Sequence, residues 1–230
     1  MVSTQHTGLY KKTAKQPVDT LQQMIGLGQV WSANDCQDES DNILSSGFTE
    51  LNQYLPGGGW QPGQVCEIYA QPGSAEVSLL LPALATLSQQ AKWLLWVAPP
   101  AIPYAPTLMS AGVELKQILV VHSQSYEQAL WCMEEGLRSG QCSAVLGWPQ
   151  QWHKQHIRRL QIAAQDSQSF CWLWPQTPFD ASGSPAALRL KLQRQRQGLT
   201  LEFLKRRGSW PSSPFTLNHD LAHISPAPSL

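Results

Sequence analysis

Leu55 to Leu81, LPGGGWQPGQVCEIYAQPGSAEVSLLL, has the layout of a phosphate-binding loop. Gly63 to Ala70 reads as a short buried strand, Gln71 to Ala75 as a Gly/Pro/Ser turn, and Glu76 onward as an apolar helix start. Phosphate binding at such a junction requires G-x-x-x-x-G-K-[ST]: glycines that let backbone N–H groups approach the phosphates, a Lys that neutralises them, and a hydroxyl for Mg²⁺. Here the corresponding positions are Ala70, Gln71, Pro72, Gly73, Ser74, Ala75, Glu76 and Val77. Ala replaces both glycines, a carboxylate that repels phosphate replaces the Lys, and a side chain that cannot ligate a metal replaces the hydroxyl. The expectation is a degenerate, inactive loop. The triple glycine Gly57 to Gly59 precedes a Trp and reads as a lead-in turn.

Other chemistries have less support. Cys36, Cys66, Cys132, Cys142 and Cys171 lie at long, unrelated spacings without a C-x-x-C pair, which implies reduced interior cysteines. His153 and His156 lack a Cys partner and read as surface residues. The nucleophile elbow, the H-E-x-x-H helix and the G-x-G-x-x-G turn are all missing from the sequence. No enzyme, cofactor or metal is therefore expected. With neither a long apolar run nor an apolar signal core, a cytoplasmic protein without a membrane span is expected.

The elements that position these residues follow from periodicity. Apolar runs at 65–70, 93–98, 117–122, 143–148 and 169–174 predict strands. Helical patterns at 74–90, 104–111, 125–139 and 152–166 alternate with them, the signature of a parallel α/β sheet. In the third helix Ser125 and Gln128 form a capping pair, and Tyr126, Ala129, Leu130, Met133 and Leu137 make one apolar stripe. Residues 1–45 read as a flexible arm with an acidic stretch, 46–207 as the domain, and 208–230 as a disordered tail outside the core.

Net charge is zero but unevenly placed: residues 1–149 carry six Lys/Arg against twelve Asp/Glu, and 150–210 carry ten against three. Within 188–207 the alternation of Leu188, Leu190 and Leu192 with Arg189 and Lys191, followed by a turn at Gln197-Gly198, predicts a β-hairpin at the sheet edge. Its outward side would gather Arg189, Lys191, Arg194, Arg196, Lys205, Arg206 and Arg207, either as a solvated edge or as a contact for DNA phosphates or an acidic protein. A second candidate surface is the helix with Lys154, Arg158 and Arg159, beside Trp152.

Gly47 to Gly59 and Gly63 to Tyr69 resemble the lead-in of RecA-type proteins, and the triple glycine before Trp60 resembles ImuA, a bacterial SOS accessory factor of translesion synthesis. A second run, Leu79 to about Pro175, is similar both to ImuA and to SulA, the SOS-induced inhibitor of cell division; the two belong to one superfamily. SulA proteins usually lack a full RecA-like lead-in, which favours ImuA. The resemblance covers about residues 24 to 207. It implies a RecA-like P-loop-type α/β fold with a mainly parallel central sheet and a C-terminal β-hairpin. In RecA-like ATPases the strand matching Ser143 to Trp148 ends in a Mg²⁺-orienting Asp and the strand matching Trp93 to Ala98 leads to a catalytic Glu. This chain has Gly147-Trp148 and Pro99-Pro100 at those places. The function so implied is a non-catalytic adaptor in translesion DNA synthesis, with RecA, a polymerase-like protein and the replicative polymerase as partners. The alternative is a SulA-like inhibitor that sequesters the tubulin-like division protein FtsZ.

Overall fold

Five apolar runs that alternate with helices form five of the six strands in the parallel part of a single eight-stranded sheet. The computed structural model describes residues 42–71, 77–151, 153–176, 183–195, 198–206 and 213–217. The strands are β1 (Val65–Ala70), β2 (Trp93–Val97), β3 (Ile118–Val121), β4 (Cys142–Gly147), β5 (Phe170–Leu173), β6 (Leu188–Gln195), β7 (Gly198–Arg206) and β8 (Phe215–Leu217), in the order β3-β2-β4-β5-β1-β6-β7-β8. Pairing is parallel from β3 through β6 and antiparallel for β6–β7 and β7–β8. β1 and β4 are covered on both faces, so apart from the buried Glu67 and Ser143 they carry apolar runs rather than an alternation.

The helices are α1 (Thr49–Tyr54), α2 (Leu81–Ser88), α3 (Ala105–Ser110), α4 (Tyr126–Arg138) and α5 (Lys154–Ser167). Leu51, Leu84 and Leu108 bring α1, α2 and α3 into one core layer with Ile68, Trp96, Trp172 and Phe203. Met133, Leu137, Ile157 and Leu160 bring α4 and α5 into the other, against Val65, Leu95, Val145 and Leu173. Ser125 Oγ accepts the Gln128 N–H at 3.2 Å, while Gln128 Oε1 accepts from Gln124 N rather than from the cap itself. Ser125→Ala is expected to lower stability by about 1 kcal/mol, seen as a lower urea midpoint at unchanged slope.

The helix expected over 74–90 begins later. A 3₁₀ turn spans Ser78–Leu80 and the α-helix starts at Leu81, because Pro82 lacks an N–H and fits only a first turn. The triple glycine serves as a joint. Gly57 and Gly58 have φ of 67° and 89°, and a Cβ on Gly59 would stand 2.5 Å from the Leu44 carbonyl, where Leu44 and Trp60 form a bridge.

The hairpin is correctly placed in sequence but does not lie at the edge. β6 pairs with central β1, and β8 covers β7. β8 comes from the stretch expected to stay outside the core. Leu217 is buried, and the Phe215 ring stacks on Tyr54 at 4.1 Å. No helix among the described residues is long and apolar enough to cross a membrane.

Candidate partner-binding surface

At the loop-like junction, Ala70 ends β1 opposite Leu192, and Val77 packs against the core. Gly73, Ser74, Ala75 and Glu76 lie outside the described residues. Burial holds the Cys171 thiol up at about 12 and raises Cys66 well above its usual value, which disfavours the thiolate at both. Among the described residues no cluster of three His, Cys, Asp or Glu could hold a metal ion.

Among the described residues, the basic side chains expected on the outward side of the hairpin do not share one exposed face. Arg189 is only 3% exposed, because β6 is an interior strand and Glu67 stands opposite it on β1. Arg189 Nε donates to Glu67 Oε2 at 3.0 Å and Nη2 donates to the Tyr69 hydroxyl at 2.9 Å. Tyr69 donates to Glu67 Oε2 at 2.6 Å, and Ser184 Oγ donates to Oε1. Burial, reinforced by the hydrogen bond to Glu67, raises the Tyr69 pKa. Lys205 turns inward and donates to the Ser184 and Ala186 carbonyls at 2.8 and 2.7 Å, and burial lowers its pKa. Arg206 donates to the Tyr54 carbonyl and lies 5.0 Å over the Phe203 ring. Lys191 and Arg194 are exposed, but they point to opposite faces and Lys191 stands across from Glu202. Arg196 and Arg207 fall outside the described residues.

On α5, Ile157, Leu160 and Ala164 face inward and Arg158 is exposed, as the periodicity predicts. Arg159 is tied across to α4, where Arg159 and Arg138 both grip the buried Glu134 carboxylate. Trp152 lies outside the described residues.

Two exposed features escaped the sequence reading. Between β2 and β3, Ile102 and Tyr104 of the loop and Met109 of α3 are 80%, 51% and 62% exposed, while Leu108 of α3 is buried. Beyond them β3, an outer strand of the sheet, leaves Leu119 and Val120 partly exposed. The second feature is Trp131 on α4, 62% exposed. The signal for Trp131 was present, since it falls off the stripe of Tyr126, Leu130, Met133 and Leu137. The loops after β2 and β4 open at the carboxyl ends of parallel strands, where open α/β sheets commonly bind their ligands.

A family model described as cell division inhibitor SulA matches residues 63–171. The cell division inhibitor SulA of Pectobacterium carotovorum is 30% identical over 134 residues, covering 57% of this chain and 79% of that protein. That of Edwardsiella piscicida is 34% identical over 110 residues, covering 47% and 66% respectively. That of Photorhabdus laumondii is 37% identical over 87 residues, covering 38% and 49%. The matches therefore take in less than two thirds of the Edwardsiella and Photorhabdus proteins. The crystal structure of SulA from Pseudomonas aeruginosa aligns at 28% identity and a TM-score of 0.42, covering 48% of this chain and 96% of that one. The family model and the relatives from Edwardsiella, Photorhabdus and Pectobacterium overturn the expectation of an ImuA-type translesion adaptor, and RecA and mutasome proteins as partners find no support in them.

Proposed function

This chain belongs to the SulA family, and on that premise we propose that it is a non-enzymatic inhibitor of cell division that works by sequestering FtsZ. The observation that carries the reading is the match to 79% of the Pectobacterium inhibitor. The family model spans β1 to the start of β5 and so includes the exposed segment from Ile102 to Met109. That segment is the surface we assign to the division protein, since an uncovered group of large apolar side chains is what a protein interface buries. We also read the fold as RecA-like with its phosphate loop emptied of chemistry. Glu76 in place of the Lys, Val77 in place of the hydroxyl and Gly147 in place of a metal-orienting Asp support this. On this reading nucleotide is neither bound nor hydrolysed.

The test is sedimentation of FtsZ polymerised with GTP in the presence of the purified chain. Wild type is expected to deplete the polymer in proportion to its amount, whereas Ile102→Asp/Met109→Asp, with an unchanged melting curve, should need about tenfold more protein for the same effect. An undiminished polymer yield with excess wild-type protein would overturn the function. Equal inhibition by the double variant would overturn the assigned surface alone.

A further inference from the structure

Resting on the assignment of this surface to the division protein, we propose that Pro99 to Met109 is a pre-formed, uncharged recognition segment that seats in an apolar groove of that partner. Ala98 is the positioning residue that aims it.

Both ends of the segment are anchored. β2 ends at Val97, and Ala98 turns the chain with a φ of 53° while its N–H still donates to the Val121 carbonyl at 2.8 Å. Gln168, the other described non-glycine residue with positive φ, occupies the C-cap of α5, where that conformation is ordinary. Ala98 caps no helix, and it precedes Pro99, which restricts its backbone further. A residue persists in that region only where its surroundings dictate it. Ala98 is held from both sides, by the hydrogen bond to β3 and by the buried Pro99 ring. At the far end Leu108 and Val113 are buried, and the Val113 N–H donates to the Leu108 carbonyl at 2.9 Å.

Between the anchors stand Pro99, Pro100, Pro103 and Pro106. Proline fixes φ and has no N–H, so ring restriction rather than a hydrogen-bond ladder sets the shape here. A segment restricted in this way loses little conformational freedom when it docks. Ile102, Tyr104 and Met109 stand out from it into solvent, a projecting apolar group that suits a concave apolar surface. From Trp93 to Val113 the sequence holds no Asp, Glu, Lys, Arg or His, and beyond it Glu114 and Lys116 pair with each other at 3.5 Å. Interface cores are depleted of charge in the same manner, and a contact without charge is indifferent to ionic screening.

Two measurements test this together: binding of FtsZ in its GDP form to the immobilised full chain, and cleavage of the free chain by chymotrypsin after the exposed Tyr104. Ala98→Gly adopts the positive φ without a Cβ penalty and frees the turn, and Pro100→Ala/Pro103→Ala frees the segment itself. Both variants are expected to melt within about 2 °C of wild type yet to bind FtsZ about threefold to tenfold more weakly. Both should also be cut after Tyr104 at least about threefold faster. Wild-type affinity should change by less than about twofold between about 0.1 and 0.5 M KCl. Unchanged cleavage in both variants overturns the pre-formed segment, whether or not FtsZ is bound. Unchanged affinity in variants that are cut faster overturns its part in recognition, and a steep loss of affinity with salt overturns the uncharged contact. A wild-type chain that binds no FtsZ overturns the functional reading, and this recognition role with it.

Discussion

Arg189→Met is expected to lower the unfolding free energy by about 3–5 kcal/mol, the cost of stranding a buried charge. Glu67 is wholly buried in the middle of β1, and its Oε2 takes both the Arg189 guanidinium and the Tyr69 hydroxyl. Methionine keeps most of the apolar stem of Arg189 but removes the counter-charge. Lys205 cannot replace it without leaving the Ser184 and Ala186 carbonyls. The measurement is urea unfolding of Arg189→Met, Glu67→Gln and the double variant. The double variant should regain part of the loss, because it no longer buries an unpaired carboxylate. A single-variant loss under about 1 kcal/mol would mean that water reaches Glu67 and that the pair contributes no more than a surface ion pair.

Trp172→Ala should cost a similar amount, about 3–5 kcal/mol, for a different reason. Its indole is among the largest fully buried side chains, stacked on Phe170 at 5.4 Å and met edge-on by Trp60 at 5.9 Å. β5 lies between β1 and β4, so neither neighbour can collapse far into the void. Thermal unfolding should show a melting temperature lower by roughly 10 °C, and Trp172→Phe a much smaller drop. A melting temperature within about 2 °C of wild type would mean that Trp60 and Phe170 refill the space.

The parallel strands β1 to β5 were legible because each is a short, largely apolar run bounded by turn residues, and in β4 and β5 burial on both faces removes any ambiguity of side. The hairpin shows the limit of that reasoning. Alternation placed Arg189 and Lys191 on one face of β6, which is correct, but it does not reveal whether that face is covered. Cover for Arg189 comes from Glu67, 122 residues away in the chain, and no local pattern reaches that far. β8 was hidden for the same reason. Phe215 and Leu217 are apolar residues in a Pro/Ser-rich stretch, and the partners that order them, Tyr54 and Leu199, lie elsewhere in the chain. The misdirected family reading has a physical root as well. Gly59 and Trp60 form a joint, one lying against the Leu44 carbonyl and the other capping Trp172. Such residues report that a fold needs the joint, and they carry little information about what the outer surface does. The exposure of Arg158 followed from helical periodicity, whereas that of Ile102 and Met109 was passed over because short Pro-flanked segments carry too few residues to define a face.

The strand order also dictates when the molecule can be completed. β1 sits in the middle of the sheet, yet both its neighbours, β5 and β6, lie far downstream in the chain. At ordinary elongation rates of about 5–20 residues per second, β1 leaves the ribosome on the order of ten seconds before the first strand it can pair with. During that interval its backbone donors and acceptors have no ladder to join, and β2 to β4 can assemble only one flank of the sheet. The centre of this molecule thus closes only once β5 and β6 have been made, and until then the newborn chain carries an unfinished sheet.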